Sequence, residues 1–288
     1  MMLVHGLNSS IWISKTKITT ILFKLEVIWT KMITNKLHEE RLNNQGSPMK
    51  IVVYNDSSDI VAEFQDEYMA RVHTNYNNFK RGVVKNPYLP TVFGVGIIGT
   101  KYPVSFNCVH TKEYTVWKSL LKRCYDPKTK ERQPYYKNIR CCKEWLNFES
   151  FCDWLHSQSN FDKWLIGSRW ALDKDILVKG NKVYSPETCC LVPQNVNCLF
   201  LRRESQRGRY PIGVRYKNSD GFMASCHNPF TDRNEIIGNY STPEKAFNAY
   251  KVYKEDIIKK VAKIEYSAGN ITKECYEAMM NYEVEITD

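Results

Sequence analysis

The last third of the chain alternates short strand-like runs with tight turns, and this pattern constrains the fold more than any other part of the sequence. The turns at 218–221 and 231–234 are built from Asn, Ser, Asp, Gly, Thr and Arg, a composition typical of hairpin connections. Thr242, Pro243 and Glu244 supply an N-cap, a first-position proline and a first-turn acid, the order that begins a helix. The sequence therefore predicts a small sheet followed by a helix, with strands at Ile212–Tyr216, Phe222–Cys226 and Glu235–Tyr240.

Two amphipathic helices are predicted in the middle of the chain. From 114 to 125, Trp117 and Leu120 lie on one apolar stripe at helical spacing, and Lys and Arg fall outside it. From 142 to 155 the same pattern recurs around Trp145. Because both stripes carry a large aromatic side chain, we expect the two helices to form a local core.

The N-terminal part gives weaker signals. Residues 51–54 are typical of a strand, 59–76 have mixed helical character, and the Pro- and Gly-rich stretch 86–102 predicts an irregular connector. Met49 is the expected natural start, so residues 1–48 are assigned no function. Charged residues interrupt the apolar stretch 11–33, so no uninterrupted apolar run in it approaches the roughly 20 residues that a membrane span needs.

The ten cysteines do not indicate a metal site or a disulfide framework. No pair has the C-x-x-C spacing of zinc sites, and most cysteines are scattered singly through apolar stretches. We expect reduced, mostly buried thiols, as in a cytoplasmic protein.

The charge of the chain favours a polyanionic partner. Forty-one Lys and Arg against 31 Asp and Glu give a formal net charge of +10. Cations that neutralise phosphates release condensed counterions, so nucleic acid is the expected partner, and a solvated basic surface is the alternative. The densest basic stretch, 200–217, interleaves rings with its cations, and its arginines are Arg202, Arg203, Arg207, Arg209 and Arg215.

The segment 170–197 combines acids, a turn and amides in close sequence. Asp173 and Asp175 flank Lys174, Gly180-Asn181 predicts a hairpin turn, and Asn195 and Asn197 follow a proline that can begin a helix. The alternative interpretation of the acidic pair is a strand whose charged side chains are exposed and have no functional role. None of the six histidines falls in this segment.

The C-terminal region resembles the Apetala/ethylene-response-factor DNA-binding domain. The match spans about Tyr210 to Ala262 and includes the G-V-R, F-x-A, G-x-Y and T-P-E-x-A-x-x-A-Y motifs in order. The resemblance implies a three-stranded antiparallel sheet packed on one helix, with the sheet in the major groove of double-stranded DNA. It also implies a set of DNA-facing residues: Arg215, Lys217, Phe222 and Ser225. This sequence has Phe222 where the family usually has Trp.

The middle region resembles phage and mobile-element HNH homing endonucleases. The resemblance rests on W-x-x-L-L-x-R-C-Y, on the helix around Trp145 and on S-P-E-T-C-C-L-V-P-Q-N-V-N. It implies one divalent metal, Mg²⁺, held by Asp173 and by Asn195 or Asn197, with Lys174 at the position of the general base.

Lys174 is a poor base, because a lysine of ordinary pKa is protonated at neutral pH and two flanking carboxylates hold it cationic. Asp175 as a weak base is the alternative. Tyr184 or Ser185 would stand where the family has its central Asn. The resemblance without its histidines predicts weak or absent cleavage.

The predicted fold class is α+β: a degenerate ββα-metal, HNH-like module with flanking helices, followed by a three-stranded antiparallel sheet on one helix. The expected function is DNA binding by a phage or mobile-element protein in the host cytoplasm. An active Mg-dependent endonuclease and a phage-encoded transcriptional regulator are the alternatives. The predicted regions are an extension (1–48), an irregular region (49–113), the HNH-like module (114–201), the DNA-binding domain with its basic linker (202–263) and a tail (264–288).

Overall fold

The structure, a computed structural model, describes residues 22–24, 36–201, 209–217 and 221–287. The chain separates into two compact units, residues 1–89 and 90–288. The predicted arginines Arg202, Arg203 and Arg207 lie outside the described residues. No helix among the described residues combines the length and apolarity needed to cross a bilayer.

The N-terminal unit is built on a four-stranded antiparallel sheet in the order β1-β2-β3-β4. Its core contains Met49, Ile60 and Phe64, together with Phe79 from a short helix. The elements are β1 (Glu40–Leu42), β2 (Pro48–Tyr54), β3 (Ile60–Phe64), β4 (Arg71–Thr74) and α1 (Tyr76–Lys80).

The helical character expected for 59–76 was wrong, because this stretch forms β3 and β4. Every residue of β3 is buried, including Glu63, so the strand lacks the alternation of exposed and buried residues that marks most strands. Glu63 is tolerated there because its Oε2 accepts a hydrogen bond from Arg71 Nε at 2.8 Å.

The two predicted central helices form a core in the second unit, with one change of boundary. The first is α2 (Lys112–Tyr125), as predicted. The second helix begins only at Phe148, because the side chain of Asn147 accepts hydrogen bonds from the first-turn N–H groups and caps the helix there. Trp117 and Trp145 are both buried in this core, and Trp117 Nε1 donates to the carbonyl of Trp145 at 2.7 Å.

The segment 170–193 does not fold as the predicted hairpin around Gly180-Asn181. The strand at 170–173 pairs antiparallel with that at 190–193, and the strand at 183–184 pairs in parallel with that at 140–141. The elements here are β5 (Ser105–Phe106), β6 (Val109–His110), α3 (Pro127–Arg132), β7 (Arg140–Cys141), α4 (Phe148–Ser157), α5 (Phe161–Ile166), β8 (Trp170–Asp173), β9 (Val183–Tyr184), β10 (Cys190–Pro193) and α6 (Gln194–Leu199).

The C-terminal sheet and helix were predicted correctly. Strands β11 (Val214–Lys217), β12 (Gly221–Asn228) and β13 (Arg233–Tyr240) pair antiparallel in that order. Helix α7 (Pro243–Ser267) packs on the sheet, and α8 (Lys273–Met280) packs on α7.

One hydrophobic core joins the C-terminal sheet to the segment before it. Val192 and Val196, from β10 and α6, belong to the same buried cluster as Ala224 of the sheet and Ile258 of α7. This core therefore crosses the predicted limit between residues 201 and 202.

Candidate nucleic-acid interface

Strand pairing determines which side chains of the C-terminal sheet face α7. Val214 lies opposite Ala224, and Arg215 lies opposite Met223, so the two pairs point to opposite faces of the sheet. Val214 and Ala224 are buried in the core with α7. Arg215 therefore lies on the face turned away from the helix.

The face turned away from α7, called the open face below, carries cations without counterions. Arg215 and Lys217 are two residues apart on β11, so both point to this face. Both side chains are exposed, and neither forms an ion pair with any residue that the structure describes. Ser225 points to the same face but is largely buried, with 9% of its surface exposed. Opposite Ser225, Ile236 of β13 is 66% exposed.

Phe222 does not share the open face, in contrast to the expectation. It pairs with Tyr216 and Tyr240 on the side of the sheet that faces α7. Its ring lies 5.3 Å from those of Tyr210 and Tyr216. Phe222 therefore extends the aromatic packing at the end of the sheet.

The acid of β13 is also turned away from the open face. Glu235 pairs with Cys226 on the α7 side, where its carboxylate accepts hydrogen bonds from the hydroxyls of Tyr253 and Thr231. These bonds lower the pKa of Glu235. Asp232, in the turn before β13, has its Oδ1 3.3 Å from His227 Nε2.

Gly213 sets the approach of the sheet to α7. Its φ is +77°, a left-handed conformation, and a Cβ there would lie 2.1 Å from the ring of Tyr250. Glycine is required at this position both for its backbone conformation and for the space.

Only one of the four predicted linker arginines is described. Arg209 is exposed, and its guanidinium lies 5.1 Å from the centre of the Tyr210 ring.

A cleft of about 1290 Å³ lies in the same unit, and its walls include most of the predicted nuclease residues. Asp173, Lys174, Asp175 and Asn197 all line it. The other wall is formed by α2 and by the turn at 134–136.

The polar groups of β8 are largely engaged with their own neighbours. Asp173 Oδ1 accepts hydrogen bonds from the N–H groups of Asp175 and Ile176 at 2.7 and 2.8 Å. Burial raises the pKa of Asp173, against the lowering effect of these N–H groups. Lys174 Nζ donates to Asp175 Oδ2 at 2.6 Å and to the carbonyl of Asn181 at 3.0 Å, so neither Lys174 nor Asp175 is a free base.

The two predicted amide ligands lie in different places. Asn197 lines the cleft, whereas Asn195 is not among its lining residues. Asn195 Nδ2 donates to Glu265 Oε1 of α7 at 2.6 Å. Asn195 thus ties α6 to α7 and is wrongly placed for a ligand role.

Neither substitute for the central Asn offers a free polar group to the cleft. Tyr184 is buried and accepts a hydrogen bond from Arg123 Nη1 at 3.1 Å, and burial raises its pKa. Ser185 lies 3.0 Å from the hydroxyl of Thr188.

The cleft residues do not fit the predicted magnesium site. One oxygen of Asp173 is already used by backbone N–H groups, and Asp175 is paired with an ammonium group. Within the described part of the chain, no three His, Cys, Asp or Glu side chains are grouped as metal ligands.

Sequence reasoning missed two cations among the residues that line the cleft, Arg123 and Lys182. Arg123 was placed outside the apolar stripe of α2, but nothing in the local pattern indicates that it faces Tyr184, 61 residues further along the chain. Lys182 and Tyr135, which are exposed and also line the cleft, carry no distinctive sequence signal.

Comparison with known proteins gives one partial similarity. The chain is 32% identical over 77 residues to an ethylene-responsive transcription factor, ERF116, of Arabidopsis thaliana. The match covers 26% of this chain and 27% of that relative, so the chain spans about a quarter of the length of the protein it matches. No family model matches the sequence, and no solved structure matches it.

Proposed function

We propose that this chain binds double-stranded DNA through the open face of the C-terminal sheet. The observation that carries the proposal is the pair of exposed cations, Arg215 and Lys217, on a face with no described carboxylate partner for either. The partial similarity to an ethylene-responsive transcription factor supports the same ligand.

The two cations suit different parts of a duplex. A guanidinium can donate two parallel hydrogen bonds to a guanine edge in the major groove, whereas an ammonium group acts as a point charge on phosphate. We assign base reading to Arg215 and phosphate contact to Lys217. Ser225 is a smaller donor or acceptor on the same face. Phosphate contact is also the role proposed for the linker arginines Arg202, Arg203, Arg207 and Arg209.

A fluorescence-anisotropy titration tests this proposal, after a preferred duplex has been selected from random sequence. Arg215→Ala should weaken binding to that duplex by about 1–3 kcal/mol and reduce discrimination at one base pair. The matched control is Arg233→Ala, since Arg233 is exposed but pairs with Asn228 on the α7 side. Equal losses in the two variants, or none in either, would refute base reading by the open face.

A second proposal concerns the cleft, where Asp173, Lys174, Asp175 and Asn197 are grouped. We propose an HNH-like module of phage or mobile-element type that cleaves DNA weakly or not at all. The lysine–aspartate pair leaves no evident general base for water. Nicking of supercoiled plasmid that requires Mg²⁺ or Mn²⁺ and is abolished by Asp173→Ala would overturn this proposal.

The partial similarity to an ethylene-responsive transcription factor favours a further role, regulation of transcription. A reporter carrying the selected duplex upstream of a promoter tests it. Output that does not respond to the wild-type chain, while the duplex still binds in vitro, would exclude this role.

A further inference from the structure

The cleft of about 1290 Å³ offers binding chemistry that the nuclease resemblance does not use. Its two acids are compensated locally, Asp173 by backbone N–H groups and Asp175 by Lys174. Four cations, Arg123, Lys174, Lys179 and Lys182, line the cleft against these two acids, so the lining has a net positive charge.

Two of those cations have no described carboxylate partner. Arg123 is half-buried and donates to the phenolic oxygen of Tyr184, and Lys182 lines the cleft with an exposed side chain. Lys179 differs, since its ammonium lies 3.3 Å from Glu285 and donates to the carbonyl of Glu283. A half-buried guanidinium without a counterion is suited to an anionic ligand.

Aromatic rings stand next to these cations. Tyr135 is 65% exposed, its ring centre lies 4.3 Å from that of Tyr136, and the guanidinium of Arg123 lies 5.9 Å from the Tyr136 ring. Phe200 lines the cleft where the chain enters the basic stretch. Cations alternating with accessible rings can contact the backbone and the bases of an unpaired strand together.

We propose that this cleft binds single-stranded DNA, with bases stacked on Tyr135 and phosphates held by Arg123 and Lys182. Bases in a duplex are stacked on each other and cannot lay a face on a tyrosine, whereas unpaired bases can. Sites for single drug-sized molecules are about 300–1,000 Å³, so the cleft has room for more than one nucleotide. The choice of DNA rests on the proposed duplex binding by the open face, but the single-stranded site does not need that binding to be correct.

The test measures affinity of the full chain for a fluorescent 12-nucleotide single strand and, separately, for a duplex. Tyr135→Ala should weaken single-strand binding at least about fivefold, the lower limit for loss of one stacked base, and leave duplex binding within about twofold. Tyr135→Phe keeps the ring and should retain binding. Arg215→Ala should have the opposite selectivity.

Charge reversal supplies a second readout. Lys182→Glu should weaken single-strand binding, and the matched control Lys85→Glu, an exposed lysine of the N-terminal unit, should not. Thermal unfolding monitored by circular dichroism verifies that each variant is folded.

Three results would overturn the proposal: unchanged single-strand affinity in both cleft variants, equal weakening of duplex and single strand, or tighter binding of an RNA strand of the same sequence. If Arg215→Ala weakens duplex binding but leaves single-strand affinity unchanged, the two sites are separate, as proposed. Absence of duplex binding in the wild type would refute the proposed function alone.

Discussion

The four-stranded N-terminal sheet and the three-stranded C-terminal sheet differ in how their charged side chains are paired. In the N-terminal sheet, Glu40, Lys50, Glu63 and Arg71 are neighbours across four strands, so each charge has an opposite one beside it. Lys50 lies 3.7 Å from Glu40, and Arg71 lies 2.8 Å from Glu63. In the C-terminal sheet, Arg215 and Lys217 have no such partner among the described residues.

In the N-terminal sheet each of these charges is paired within the sheet, whereas the cations of the C-terminal sheet can accept an anionic ligand. Cross-strand pairs of opposite charge stabilise a sheet, while isolated exposed cations contribute little to folding and remain available to phosphate. Composition agrees, because residues 36–89 contain seven Lys and Arg against seven Asp and Glu. The excess positive charge of the chain therefore lies outside the sheet that has paired its charges.

The largest effect is expected where the C-terminal sheet meets its helix. Gly213→Ala should lower the free energy of unfolding of the second unit by about 2–4 kcal/mol, because it adds a Cβ against Tyr250 to a left-handed backbone. Gly180→Ala is the control, since Gly180 has φ +75° with no atom within 4 Å of its Cβ position. It should cost about 1–2 kcal/mol. Urea unfolding measures both, and equal costs would show that the ring contact does not matter.

The second effect tests whether the proposed duplex binding depends on cations that have no acid beside them among the described residues. Ile236→Glu places a carboxylate among the cations and should weaken duplex binding by about 1–2 kcal/mol and reduce its salt dependence. Ile236→Gln has a similar shape without the charge. If the two variants bind the duplex equally, unpaired cations are not what distinguishes this sheet.

A third effect is expected in the N-terminal sheet. Glu63→Gln should lower the free energy of unfolding of that unit by about 1 kcal/mol, because Arg71 is exposed and water screens the pair. The hydrogen bond from Arg71 lowers the pKa of Glu63 below its ordinary value of 4.5. Its contribution is therefore present above pH 4.5 and is lost as pH falls through the lowered pKa. Hydrogen exchange of the β3 amides from pH 7 to pH 4 should show this loss in the wild type and a smaller one in the variant.

The smallest effect concerns the linker. Arg209→Ala should reduce the slope of log affinity for duplex against log salt by about one, and should do so for every sequence tested. A change confined to the preferred duplex would assign Arg209 to base reading.

The regularity of a strand made part of the site predictable and also shows where one prediction failed. Arg215 and Lys217 are two residues apart, so both reach the open face. Phe222 and Ser225 are three apart on one strand, and a period of two puts them on opposite faces. The resemblance suggested both as DNA contacts, whereas the alternation allows only one of them on the open face.

Other features depend on partners far away in sequence. Successive helix residues are turned by about 100°, so Asn195 and Asn197 point to nearly opposite sides of α6, and only the packing of α7 decides which one meets the cleft. The parallel pairing of β9 with β7, 43 residues away along the chain at Arg140 and Val183, has no local signal. In the N-terminal sheet the strand at 51–54 was predicted and lies within β2, whereas β3 was missed because it is buried throughout.

The core shared by Val192, Val196, Ala224 and Ile258 has a practical consequence for dissecting this chain. A fragment that begins at the linker would contain the sheet and α7 but would lack Val192 and Val196, which cover them. The exposed apolar surface would favour self-association. The sheet that carries the open face therefore cannot be excised at the linker without exposing part of its core. The open face and the cleft are attached to one hydrophobic core, so the distance between them is fixed. A nucleic acid that bound to both surfaces would have to match that distance.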